Sequence, residues 1–238
     1  MTSVPMAEVQ EMVARLAAGT ETLRVLEAGC GSLPRTLDIG PRAHLVGIDI
    51  SREQLDRNDA IDEKILGDIQ AHEFEPDSFD LVICWDVLEH LPRPELALDN
   101  FRRAVRPGGL VVLKLPNVLS AKGLVTKFTP HGFHVWVYRR IFGYPNAGKP
   151  GFTPFRTFLR WSIAPHRLVD FAGRNDMVVE YVATYEADRQ TGLRDRLRLR
   201  GRPWAAVNRL ARRASRGRLD LEGTEVLVAL RKPVAGGV

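Results

Sequence analysis

Cysteine is almost missing from this chain: 238 residues contain two, Cys30 and Cys84. Two thiols at the ends of apolar runs exclude a disulfide framework and are expected to be small buried residues of a protein in a reducing cytoplasm. No apolar run approaches the roughly 20 residues that span a bilayer. The start of the chain has neither the basic opening nor the apolar run of a secretory leader. Acid is missing from one long stretch. Between Asn100 and Val169 there is no Asp or Glu, against 12 Lys or Arg. Residues 187–238 hold 13 Arg and Lys against 5 Asp and Glu, so +8 of charge lies there and the remaining residues carry 5 − 8 = −3. Segregation of this kind excludes an evenly solvated surface and points to an anionic partner or surface.

The informative stretch is Val25-Leu26-Glu27-Ala28-Gly29-Cys30-Gly31-Ser32, an apolar strand running into a glycine turn. Glycine lets a ligand approach the backbone, and a turn in this place is where a nucleotide-like ligand lies in α/β chains. A bare G-x-G is a weak signal. Its weight comes from Leu45-Val46-Gly47-Ile48-Asp49-Ile50, a second apolar strand that closes on an acid able to accept hydrogen bonds from both hydroxyls of a ribose. Ser51, with Gln54 three residues on, supplies a helix cap and leaves Asp49 for that work. The dinucleotide pattern requires a third glycine at position 34, where this chain has Pro34, and nicotinamide or flavin binding loses ground accordingly.

Further elements follow in order: Leu66-Gly67-Asp68-Ile69, then Phe79-Asp80-Leu81-Val82-Ile83-Cys84-Trp85-Asp86-Val87-Leu88-Glu89-His90-Leu91, then Arg106-Pro107-Gly108-Gly109 leading into Leu110-Val111-Val112-Leu113. With Glu27-Ala28-Gly29-Cys30-Gly31 and Asp49, these five motifs over residues 25–115 resemble the class I S-adenosylmethionine-dependent methyltransferases. The small-molecule, ubiquinone-biosynthesis-like members are the most similar in kind. The resemblance covers a little under half the chain. It implies S-adenosyl-L-methionine as cofactor, held by Glu27, Gly29, Gly31, Asp49, Ile50, Asp68, Ile69 and Trp85, with Asp68 and Ile69 flanking the adenine. For Asp68 a turn-forming role is the alternative. The chain departs from the family in a short crossover broken by Pro34, Gly40 and Pro41, and in Leu33, where a glycine is usual.

Alternating strands and helices imply a Rossmann-like α/β fold: a seven-stranded, mostly parallel sheet with helices on both faces and an antiparallel carboxyl-terminal hairpin. Within one domain, residues 1–117 form the cofactor-binding core. Residues 118–166 hold 10 of the 18 aromatics, three histidines and no acid. We read them as an aromatic lid that binds the acceptor. Residues 187–222, with eleven arginines, form a basic insertion. A helix is expected from Pro203, with Trp204, Val207, Leu210, Ala211 and Ala214 on one face, either packed on the domain or lying on a membrane surface.

For a proton acceptor the expected residues are His90, at the rim of the sheet, and His131, in Thr129-Pro130-His131-Gly132-Phe133-His134. Structural histidines are the alternative at each. Asp86-x-x-Glu89-His90 resembles an E-x-x-E-H element by which some methyltransferases of this class hold a divalent ion. If helical, those three side chains share a face and suit magnesium or manganese imperfectly. The preferred function is O-methylation of a small acceptor that is anionic and partly apolar, such as a lipid- or phosphate-linked glycan or a natural-product intermediate. The alternatives are a non-catalytic cofactor-binding module docked on an anionic surface, and an RNA methyltransferase. The latter is disfavoured by the lack of an N/D-P-P-Y-like tetrapeptide after strand four.

Overall fold

The structure is a computed structural model that describes residues 4–32, 37–141, 143–149, 154–187 and 201–234. Leu33, Pro34 and most of the 187–200 arginine run lie outside the described residues. The chain opens with α1 (Val4–Ala18), whose Val9 and Val13, four residues apart, are fully buried. β1 (Leu23–Ala28), β2 (Ala43–Asp49), α2 (Arg52–Asp56), β3 (Glu63–Leu66), β4 (Phe79–Trp85), α3 (Pro94–Ala104) and β5 (Val105–Pro116) follow. Then come α4 (Ala121–Phe128), α5 (His131–Arg140), α6 (Pro165–Arg174), β6 (Val178–Tyr185), α7 (Arg202–Ala214) and β7 (Glu225–Arg231). Short 3₁₀ turns occupy Leu88–His90 and Trp161–Ile163.

The seven strands form one sheet in the order β3-β2-β1-β4-β5-β7-β6. β1 through β5 pair in parallel, while β7 runs antiparallel to both β5 and β6. The expected sheet and hairpin are therefore present. β4 and β7 are buried along nearly their whole length, and β1 at all but Arg24 and Glu27, because helices cover both faces, as continuous apolar runs such as Leu81-Val82-Ile83-Cys84 require. One face packs on Val9 and Val13 of α1 and Leu55 of α2. The other packs on Leu98 and Phe101 of α3 and Leu168 and Phe171 of α6. Both cysteines are free and buried. Burial drives the Cys30 thiol pKa to about 12, helped by the charges of Asp49 and Glu27.

Two helices carry detail that their sequence readings did not. α2 begins as expected, with the Ser51 hydroxyl accepting the Gln54 N–H at 3.4 Å, but lasts only five residues. α7 has the expected apolar stripe, yet Val207, Leu210 and Ala214 point away from the domain and Leu210 is 69% exposed. The helix is seated instead by Asn208, whose side-chain oxygen accepts the Leu221 N–H at 3.0 Å. Periodicity identifies an apolar stripe, but it does not say whether the domain or something else covers it.

No helix among the described residues is long and apolar enough to cross a membrane.

Candidate active site

In an open parallel sheet, loops at the carboxyl ends of the strands meet at one rim, and the order reverses between β1 and β4. The rim has two halves. The β1–β2–β3 half contains the glycine turn. Gly29 (φ +74°) and Gly31 (φ +54°) both take left-handed backbone, and the Gly29 N–H donates to Ile48 O at 2.8 Å. This turn is latched to the next strand. One Asp49 carboxylate oxygen accepts the Gly31 N–H at 2.9 Å, and the other accepts the Ser51 N–H at 2.8 Å. Each oxygen keeps a further lone pair, so the carboxylate is held still and can still accept two hydroxyl groups. Asn58, buried under the turn, donates to the carbonyls of Cys30 and Gly31 at 3.2 and 3.0 Å. Ile50, next to Asp49, is 77% exposed and offers an apolar surface at the rim.

Gly29 is required for a second reason: a Cβ there would lie 2.4 Å from Val87 Cγ2. Gly29→Ala combines left-handed strain with overpacking, together about 2–5 kcal/mol. We expect a fall in Tm on the order of 10 °C by calorimetry. Adding Val87→Ala should recover the steric part only; full recovery would mean that backbone strain contributes nothing.

Asp68 makes turn contacts of the kind foreseen as its alternative. Its Oδ1 accepts the Gln70 N–H at 2.8 Å, and the Gln70 side-chain amide donates to both carboxylate oxygens at 3.0 Å. Ile69 is buried in the core, with its carbonyl accepting from Asn100 at 2.8 Å. Any contact of this pair with an adenine therefore runs through a Gln70-capped turn. Glu27, next to last in β1, and Trp85, the last residue of β4, are half-buried at the rim.

The β4–β5–β7 half holds a cluster of charge. Asp86, in left-handed backbone (φ +54°), accepts from Lys114 Nζ at 2.7 Å. Lys114 also lies 3.8 Å from Glu225, which Lys122 approaches at 3.3 Å. Tyr185, facing this group from β6, has a pKa raised to about 12 by burial and by the charges of Glu225 and Asp86.

Glu89 and His90 sit beside the cluster. Glu89 is 4% exposed, its Oε2 has no hydrogen-bond partner, and its pKa rises to about 8 through burial and then the Asp86 charge. His90 Nε2 lies 3.8 Å from Glu89 Oε1, while its Nδ1 lies 2.8 Å from Arg156 O. A carbonyl only accepts, so Nδ1 carries a proton, and in the neutral imidazole Nε2 then presents the lone pair that a general base needs. The Glu89 carbonyl also accepts the N–H groups of Phe158 and Leu159, which fastens residues 155–160 to the rim.

Glu89 gives a pH prediction. Its folded pKa lies above the unfolded one, so the folded state binds more protons between about pH 4.5 and 8, and stability falls as pH rises through that window. Glu89→Gln should remove a drop on the order of a few kcal/mol, visible as a flatter Tm-versus-pH curve. Parallel curves for the two proteins would contradict it.

Residues 5–147 match the profile of a methyltransferase domain family. The chain belongs to the class I S-adenosylmethionine-dependent methyltransferases. It is 34% identical over 120 residues to an uncharacterized methyltransferase of Schizosaccharomyces pombe, covering 42% of each chain. It is 32% identical over 129 residues to the ubiquinone biosynthesis O-methyltransferase of Aeromonas salmonicida, covering 47% of this chain and 54% of that one. The chain thus spans about half the length of the relatives it matches. The Haemonchus contortus phosphoethanolamine N-methyltransferase 2, solved with S-adenosyl-L-methionine, shares the fold at 15% identity, with a TM-score of 0.53 over 95% of this chain and 52% of that one.

Within this methyltransferase the other sequence-derived candidates separate. His131 begins α5 with its ring 6.5 Å from His134 and its Nδ1 buried without a hydrogen bond; its ring neighbour is His134, not His90. His134 is held by Thr129 at 2.6 Å, and burial, then His131, lowers its pKa. The divalent-ion reading of Asp86, Glu89 and His90 needs correction. A helix would align the three, but the helical turn spans only Leu88–His90, and Asp86 turns outside it toward Lys114. No group of three or more metal-binding side chains occurs among the described residues. Lys114 was missed by sequence reasoning. Its signal is a lone lysine in the otherwise apolar Leu110-Val111-Val112-Leu113-Lys114-Leu115.

Proposed function

We propose that this methyltransferase transfers a methyl group to an oxygen of a small acceptor that is anionic and partly apolar. The observation that carries the reading is the two-sided rim: a latched carboxylate, Asp49, on the cofactor half, and a base-competent imidazole beside lysines on the other. S-adenosylmethionine would supply there a methyl group activated by its sulfonium, with the electron pair of the broken carbon–sulfur bond left on sulfur. Asp49 would hold the ribose, and the glycine turn would admit the methionine end close to the backbone. His90 Nε2 accepts the proton released as the acceptor oxygen forms its bond to carbon, while Arg156 O holds the ring by Nδ1. Lys127, which has no acidic partner among the described residues and lies with its Nζ 4.4 Å over the Trp161 ring, offers positive charge to an acidic acceptor, while Lys114 and Lys122 are already paired with Asp86 and Glu225. Residues 118–166 serve as the acceptor's cover in this reading.

Fixing the two reactants in line can lower the barrier by roughly 7–11 kcal/mol in favourable cases. The test is a turnover assay with methyl-labelled S-adenosylmethionine and a panel of phosphorylated, carboxylated and lipid-linked hydroxyl compounds. Labelled product with an acidic acceptor, together with S-adenosylhomocysteine, is the expected result. Cofactor binding without product from any acceptor would favour the non-catalytic module instead.

A further inference from the structure

Beyond the carboxyl end of β5, a cleft of about 500 Å³ opens between the amino end of α6 and the carboxyl end of α7. Its floor is apolar (Leu119, Ala164, Leu219). Its walls are basic: Arg167 and His166 from α6, and Arg216 and Arg218 from the turn after α7. Of the neighbouring acids, Asp170 pairs with Arg167 at 3.7 Å and Asp220 with Arg212 at 3.8 Å. Arg216 and Arg218 have no acidic partner among the described residues. Arg216 is held at φ +55°, followed by Gly217 at φ +81°, a backbone that a non-glycine residue rarely adopts. His166 Nδ1 is buried without a hydrogen bond. Burial, then the charges of Arg218 and Arg167, depresses the His166 pKa, so this site is electrostatically frustrated as it stands.

The cleft is flanked by exposed apolar side chains on both sides. On one, Phe128 is 72% exposed with its ring 6.3 Å from Trp161, which itself lines the cleft. On the other, the outward stripe of α7, Val207–Leu210–Ala214, runs to the cleft through Ala214. Unpaired arginines beside exposed aromatic and aliphatic groups match the headgroup boundary of an anionic bilayer, where guanidinium groups meet phosphate while apolar groups enter the acyl region. A soluble acidic partner would match the arginines but leave the stripe and Phe128 uncovered.

We infer that this cleft binds the phosphate of an anionic phospholipid and seats the protein on a bilayer through Arg216, Arg218, Phe128 and the outward stripe of α7. Neither methyl transfer nor cofactor binding is needed for it.

The test is sedimentation of the full chain with vesicles of phosphatidylcholine alone and with phosphatidylglycerol added, without cofactor. Binding should require phosphatidylglycerol and weaken with salt. Each arginine near the surface contributes roughly fivefold, so Arg216→Ala with Arg218→Ala should lower the partition coefficient roughly 25-fold. Leu210→Ser should lower it with the arginines intact. Affinity for S-adenosylmethionine serves as the folding control and should not change in either variant. Native-like vesicle binding by the arginine variant, or no binding of the native chain to phosphatidylglycerol, would overturn the inference. So would glycerol 3-phosphate binding in calorimetry as tightly as the vesicle lipid, since the cleft would then serve a soluble phosphate.

Discussion

Replacing Asp49 with alanine is expected to weaken S-adenosylmethionine binding by roughly 100- to 10,000-fold. Its carboxylate is positioned by two backbone amides, from Gly31 at 2.9 Å and Ser51 at 2.8 Å. The lone pairs left over are those two ribose hydroxyls would use. A hydrogen bond to a charged group contributes about 1.5–3 kcal/mol, so two contribute about 3–6 kcal/mol, which is the stated range of affinity. The same substitution frees the Gly31 N–H and loosens the glycine turn, which acts in the same direction. Asp49→Asn preserves the shape but removes the charge and should fall between the two. Equilibrium dialysis with labelled cofactor measures the series. An alanine variant that keeps native affinity would remove Asp49 from the site.

The second large effect is expected on turnover. A positioned general base contributes typically 10²- to 10⁴-fold to rate. His90→Asn places an amide donor where Nδ1–H now meets Arg156 O and removes the Nε2 lone pair. It should lower kcat by that range while leaving cofactor affinity within about twofold. The asparagine is chosen because His90 ties residue 156 to the rim in the structure and serves as the base only in the proposed reaction. His90→Ala loses both and should also raise KM for the acceptor. If His90→Asn turned over at the native rate, His90 would be a tie for that segment and the proton would leave by another route.

Much of the fold was legible because its signals are local. Apolar runs between glycine and proline turns marked the strands of the parallel core, such as Leu45-Val46-Gly47-Ile48 in β2 and Leu110-Val111-Val112-Leu113 in β5. The glycine turn was legible for the same reason: Gly29 and Gly31 follow β1 directly, and Asp49, which latches the turn, ends β2. The acceptor half was not. Lys114 meets Asp86 from 28 residues away and Glu225 from the far end of the chain, a meeting set by strand order that no short pattern carries. The raised pKa of Glu89 comes from its burial, and nothing in the alternation around Leu88-Glu89-His90 marks that glutamate as the enclosed one. Asp68 is held in a turn whose contacts no motif describes. Its neighbour Gln70 captures both carboxylate oxygens, a consequence of turn geometry. Likewise, the α7 stripe was read correctly as a pattern, while its outward direction depends on Asn208, a polar residue that seats the helix.

The latched Asp49 and the β1 turn make one claim above the others: that this rim holds S-adenosylmethionine. Titration calorimetry of S-adenosylmethionine and S-adenosylhomocysteine into the purified chain tests it most directly. One site per chain with micromolar affinity for both ligands is the predicted result. Absence of heat and of competition from either ligand, in a protein shown to be folded, would contradict it.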